Sequence, residues 1–305
     1  MKYIKPFLTY EQQADRLIAL GMQGDRTKII NCLRTVSYYR LSGYWYPFRK
    51  QDPADPDQKL SEFNSDASID VIWERYVFDR RLRLLVMDAI ERIEVDARSR
   101  LTYFHAERYG PFGYVNDRST LPKLTAEDRS RLLDGLRRQF RDSREDFVVH
   151  FRDKYGHDHP DLPIWVACEL MSFGDLFTLY RGCDPVIQKA FADQYNIPDA
   201  VCLSWLRALN TLRNICAHHS RLWNRVHGPI PSIPTRDPLW NHPTPIPNNR
   251  VFCILTICRY LLSIIAPGSD WTDRLKGLLA EYPNVPRKGM GLIPDWELHP
   301  VWKLE

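Results

Sequence analysis

The chain has 305 residues, 44% of them hydrophobic and 26% charged, with a formal net charge of +4. That balance excludes a disordered polymer and allows a substantial core, in one large domain or two small ones. The mild basicity admits an anionic partner but falls short of the charge usual in a dedicated DNA-binding domain.

The opening stretch, MKYIKPFLTYEQQADRL, has no long apolar run, so no secretory leader is expected. Leu8-Thr9 followed by Gln12 spells a staple and capping box, which opens a helix to about Leu20. Gly21 and Gly24 break it. A second helix is expected from about Arg26 into the aromatic stretch Tyr38–Arg49, and residues 51–58, QDPADPDQ, form a polar loop. Ser68 then caps the clearest helix, Ile69 to about Arg108. Its apolar positions Ile72, Tyr76, Leu82, Leu85, Val86, Ala89, Ile93 and Ala97 recur near every 3.6 residues. Gly110-Pro111 stops it.

Thr125 with Asp128 starts a helix through Phe140, and Asp142-Ser143 precedes a short one to about Tyr155. Pro163 opens another through Met171, and short helices follow to about Gln194. Asp199 caps a helix reaching 219–222. A loop with seven prolines, Pro229 to Pro247, separates it from two last helices at about 249–266 and 270–282.

Val251–Ala266 is the most apolar run, but Arg259 interrupts it and it is shorter than the roughly 20 residues of a membrane span. No membrane partner is expected. Strand alternation and internal repeats are absent from the pattern, so the predicted class is all-α, built around 69–108 and 199–222. Residues 1–60 read as an N-terminal helical and aromatic segment packing on a helical domain of 61–305; a single domain over 1–305 is the alternative. The seven cysteines are scattered without a C-x-x-C pair, which points to reduced thiols in a cytoplasmic chain and to no zinc cluster. No cofactor is expected.

LRNICAHHSRLWNR, residues 212–225, concentrates chemistry. The helix before it has Val201, Trp205, Leu206, Leu209, Leu212 and Cys216 on an apolar face. Beside that face run Asn210, Asn214 and His218, each four residues after the last, with Arg213 adjacent. Arg213 and His218 are five apart, about 140° around an ideal helix. Arginine–histidine pairs at similar spacing recur at Arg100/His105, Arg144/His150, Arg152/His157, Arg221/His227 and Arg236/His242, so context rather than spacing singles this one out. Histidine titrates near neutrality and serves as acid or base, while arginine presents a charged fork to phosphate oxygens. The bland reading is a polar helix end, where both residue types meet the dipole and the last carbonyls.

Other stretches carry weaker signals. Glu91, Glu94 and Arg98 share one helix face, as ion pairs commonly do, and Glu94 or Arg98 could supply a further polar group. Glu169, in an apolar segment, is expected to need a partner. YYRLSGYWYPFRK sets Tyr44 and Trp45 beside Arg40, as base-stacking surfaces do; an aromatic anchor is the favoured alternative. The basic run Arg131, Arg137, Arg138, Arg141 and Arg144 is diluted by acids. His157 and His159 lack further ligands for a metal, and none is expected.

Read as a unit, RNICAHHSRLWNR resembles the Abi-like (AbiD/AbiF-type) abortive-infection proteins, of the HEPN superfamily. Further segments match in order: KPFLTYEQQADRLIALGM (5–22), YYRLSGYWYPFR (38–49), FDRRLRLLVMDAIERIEVDARSRL (78–101), YGPFGY (109–114) and WVACELMSFGDLFTLYRG (165–182). The resemblance spans about residues 5–266. It implies a HEPN-like helical bundle and a phage-defence role as a metal-independent endoribonuclease toxin. Arg213 would hold the scissile phosphate and His218 act as acid or base, with Asn214 and His219 orienting; either histidine fits the family's spacing. Arg40, Tyr44, Trp45, Arg98 and Arg221 are the RNA-binding candidates. It also implies a homodimer whose two motifs meet, an RNA substrate, and for some relatives a small structured RNA inhibitor. A non-catalytic RNA-binding or sensing module acting through a partner is the alternative.

Overall fold

The computed structural model describes Ile4 and residues 6–304. The fold is all-α: among the described residues, helix dominates and the only sheet has two short strands. The chain divides into two compact units. The first runs through Arg83 and includes Leu275–Pro286; the second comprises Leu84–Arg274 and the residues from Arg287 onward.

In the first unit, α1 (Tyr10–Ala19) opens on the expected capping box. The Gln12 N–H donates to Thr9 Oγ1 at 3.2 Å and the Thr9 N–H to Gln12 Oε1 at 2.9 Å. The single helix expected from Arg26 into the aromatic stretch is two: α2 (Arg26–Val36) and α3 (Tyr38–Trp45). Ser37, at φ 74°, ends the first and redirects the chain, so that Leu41, Tyr44 and Trp45 all reach the core.

A hairpin that the pattern did not announce follows, β1 (Arg49–Gln51) against β2 (Lys59–Phe63), with Arg49 opposite Phe63 and Gln51 opposite Lys59. Polar side chains dominate both strands, which left no alternation to read. The polar loop is closed at its base, where the Gln51 amide donates to the Gln58 carbonyl at 2.7 Å.

Helix α4 (Ile69–Tyr109) contributes residues to both units. Within the first unit it supplies Asp79, fully buried, whose carboxylate accepts from Tyr44 Oη at 2.6 Å and from the Arg83 guanidinium. Such a buried pair is held by completeness of its partners rather than by charge alone. Gly110, at φ +68°, ends α4 as expected.

The second unit continues with α5 (Gly113–Asn116), α6 (Ala126–Asp142), α7 (Asp146–Tyr155), α8 (Ile164–Leu170), α9 (Phe173–Gly182), α10 (Pro185–Asp193) and α11 (Asp199–Ala217). After the proline-rich segment and its one-turn α12 (Pro238–Asn241) come α13 (Val251–Ile265) and α14 (Trp271–Glu281), the last also shared between units. Helices α9, α10 and α13 pack on α11. At the centre Trp205, Trp240 and Tyr260 lie with ring centroids 5.0–5.7 Å apart. Phe252 stacks on Trp302 of the C-terminal turns at 5.5 Å. No helix among the described residues is long and apolar enough to cross a membrane. All seven cysteines are free thiols and buried, and burial pushes Cys202 and Cys253 up to about 12, far from a reactive thiolate at neutral pH.

Burial holds three histidines of this unit, His105, His227 and His299, below their ordinary value, and the first two are expected to make stability depend on pH. Burial pushes His105 down to about 4, with the Asp184 charge pulling weakly the other way. Burial likewise pushes His227 to about 4, although its Nε2 lies 3.3 Å from the Leu222 carbonyl. A histidine unfolds to its ordinary value near 6.5, so between about 6.5 and 4 the unfolded chain binds more protons than the folded one. Stability is therefore full above pH ~6.5 and falls as pH drops to ~4, by on the order of 3 kcal/mol per histidine. Urea midpoints measured at pH 7 and pH 5 should show this fall, and His105→Phe should shrink it. An unchanged difference in that variant would contradict the assignment.

Candidate functional site

The arginine–histidine cluster sits where α11 ends. Helical hydrogen bonding runs regularly to Ala217, and His218 is the cap residue, its N–H donating to the Asn214 carbonyl at 3.0 Å. The His219 N–H then reaches back to Cys216 and the Ser220 N–H to Ile215, at 3.0 and 2.9 Å. That paired closure is a Schellman motif, and it requires a left-handed residue at the first non-helical position. His219 occupies it, at φ 56°. Glycine or asparagine is the usual occupant, because a Cβ is crowded in that conformation.

The cost can be isolated. His219→Gly and His219→Ala remove the same imidazole, so only the backbone preference separates them. His219→Gly is expected to be the more stable by about 1 kcal/mol in urea denaturation. Equal stabilities would show that no strain is stored there.

The cluster is open to solvent. Asn214, His218 and His219 are exposed and Arg213 is half-buried. Arg213 Nη1 approaches Asn214 Oδ1 at 3.4 Å, a weak contact that lays the guanidinium along the helix surface. Asn210, the third member of the polar stripe, is half-buried against the first turn of α9; a Cβ added to Gly174 would stand 3.7 Å from its amide. The stripe is thus divided: Asn210 packs, while Asn214 and His218 face outward. Because α11 stays regular to Ala217, Arg213 and His218 keep the ideal-helix separation of about 140°.

The other candidates distribute differently. Tyr44 and Trp45 are 2% and 0% exposed, so neither can stack a base: aromatic density fixed the anchor, and the exposed rings are Tyr39 and Tyr46 instead. Arg40 is exposed on α3, and Arg221 is half-buried just past the two histidines. Arg98 is engaged within the fold rather than presented to solvent. It is mostly buried, pairs with Glu94 and donates to the Met171 carbonyl at 2.7 Å, tying α4 to the α8–α9 junction. The pair is thus not a solvated surface pair. Glu91 and Glu169 are exposed, so Glu169 needs no buried partner. His159 stacks on Phe112 at 4.7 Å while His157 bonds Asp158, and they form no ligand set.

One signal went unread in the sequence. Residues 200–269 hold seven arginines and a single acidic residue, Asp237. Elsewhere in the second unit several arginines pair with carboxylates, as in Arg92–Asp88, Arg100–Asp96, Arg131–Glu127 and Arg137–Asp161, although among the described residues Arg118, Arg138 and Arg144 do not. Among the described residues, Arg207, Arg213, Arg225, Arg236 and Arg250 have no carboxylate partner; Arg207, Arg225 and Arg236 are exposed. Uncompensated cations on one stretch of chain are what a polyanion can neutralise.

A family profile described as Abi-like protein matches residues 31–224, which includes the whole cluster. No curated protein and no solved structure matches significantly.

Proposed function

The chain belongs to the Abi-like protein family, which supports a role in abortive infection against phage, and from that premise we propose that it is an RNA-cleaving effector of HEPN type. The observation that carries this reading is the solvent-open Arg213/Asn214/His218/His219 cluster in a stretch almost free of carboxylates.

RNA brings its own nucleophile. One histidine removes the 2′-hydroxyl proton, O2′ attacks phosphorus, and the bond from phosphorus to O5′ breaks. A second acidic group gives O5′ its proton. The products are a 2′,3′-cyclic phosphate and a 5′-hydroxyl, and no activated water takes part. Arg213 offsets the charge that gathers on the non-bridging oxygens. His218 is the acid or base, with Asn214 and His219 orienting it or the phosphate.

The 140° between Arg213 and His218 favours a homodimer, in which Arg213 of one copy works beside His218 of the other. The same arginine-rich stretch would accept a small structured RNA as an inhibitor. The test is chemical: purified protein is incubated with single-stranded RNA and the ends are identified. Cyclic phosphate with 5′-hydroxyl supports the reading. Binding without cleavage would transfer the chain to the class of RNA-sensing modules.

A further inference from the structure

We propose that a cleft at the far end of α11 seats a base of the same RNA strand whose phosphate meets the histidines, so that the substrate is a single strand held along this helix. The identity of the strand rests on the nuclease reading above; the cleft and its chemistry do not.

The cleft measures about 410 Å³ and lies between the start of α11 and the segment 233–237. Pro198, Val201, Ile233 and Pro234 give it apolar walls, while Asn196, Thr235, Arg236 and Asp237 bring polar groups to its edge, the Asp237 carboxylate accepting from the Leu239 N–H at 2.9 Å. Apolar walls with hydrogen-bonding groups at the rim suit a heterocycle that carries polar edges. The Arg236 guanidinium is exposed and has no carboxylate partner among the described residues, so it is available to a phosphate.

The cleft is built rather than incidental. The Ser232 N–H donates to Ser204 Oγ at 3.0 Å, and Trp205 Nε1 donates to the Ser232 carbonyl at 2.8 Å. Asn241 Nδ2 holds the Pro234 carbonyl at 2.7 Å. These bonds pin the outer wall to α11 and to the α12 turn.

Beyond the cleft runs a polar face of α11 that lies about 120° around the helix from Val201, so a strand leaving the cleft winds a third of a turn to reach it. Arg207, Thr211, Asn214 and His218 follow one another at intervals of four, three and four residues, the spacing of a single helix face. Arg207, Asn214 and His218 are exposed and Thr211 half-buried. No acidic residue follows Asp199 on α11. Val201 and His218 are 17 residues apart in sequence, so at 1.5 Å per residue the cleft and the histidines stand roughly 26 Å apart along the helix. That is room for several nucleotides, within the ~4–16 typical of single-strand binding sites.

The test measures binding on the full chain carrying His218→Ala, which prevents turnover. Fluorescence anisotropy is read with labelled oligoribonucleotides of about three and about twelve nucleotides, the shorter unable to span from the cleft to the histidines. Thr235→Trp fills the cleft and Arg236→Glu reverses its rim charge; both positions are exposed. Each should weaken the longer oligonucleotide about 10-fold and leave the shorter unchanged. Unchanged affinity for the longer one in both variants would overturn the proposal. So would a free mononucleotide that binds as tightly as the longer oligonucleotide, since that would make the cleft a nucleotide site. If wild type binds in this length-dependent way but yields no cyclic phosphate ends, the nuclease reading fails and the cleft stands. If it cleaves while the variants bind normally, the reverse holds.

Discussion

His218→Ala and Arg213→Ala should each lower RNA cleavage by about 10²- to 10⁴-fold, the usual contribution of a positioned acid or base. Neither change should unfold the protein. His218 is exposed at the helix cap and Arg213 half-buried with one weak contact to Asn214. Substitutions away from buried partners usually stay within about 0.5 kcal/mol. Arg213→Lys should also be impaired, because it keeps the charge but loses the planar fork that matches two phosphate oxygens. Cleavage rates on purified variants, with melting curves alongside, decide the matter. Activity equal to wild type in both alanine variants would return the cluster to a helix-end role.

The largest expected loss of stability is at Trp205→Ala, about 3–5 kcal/mol. The indole is 1% exposed, sits against Trp240 and Tyr260, and donates to the Ser232 carbonyl. Truncation opens a cavity among rings that cannot readily close it and leaves that carbonyl without its donor. Since a domain is typically stable by only about 5–15 kcal/mol, this one change removes a large share. It also frees the segment that walls the cleft, so RNA affinity should fall at temperatures where the chain remains folded. A urea-derived difference below about 1 kcal/mol would show that the cluster is not the core contact it looks to be.

What could be read beforehand follows a physical rule: features encoded within one or two turns were legible, and features set by distant partners were not. Thr9 with Gln12 fixed the start of α1 because both halves of the capping box are local. The 3.6-residue period and Gly110 fixed α4 in the same way. Ser37 gave no warning of its positive φ, since the break serves the burial of Leu41, Tyr44 and Trp45 rather than a local turn preference. The aromatic stretch showed that rings would anchor something but not which of them would face out; that depended on Asp79 and Arg83, more than thirty residues later.

At the candidate site the residue types and their helix were legible, and the shape of the helix end was not. A left-handed position normally advertises itself through glycine or asparagine, and here it is filled by His219. The run of seven arginines against one acid could have been counted from the chain. That Arg207, Arg213, Arg225, Arg236 and Arg250 stay without carboxylates, unlike Arg131 and Arg137 of α6, needed the fold.

The most direct measurement maps RNA ends bearing 2′,3′-cyclic phosphates in cells expressing wild type or His218→Ala at matched levels. Growth arrest with new ends of this kind in wild type, and neither in the variant, is the expected result. No new ends, or ends that persist in the variant, would contradict a catalytic centre at the end of α11.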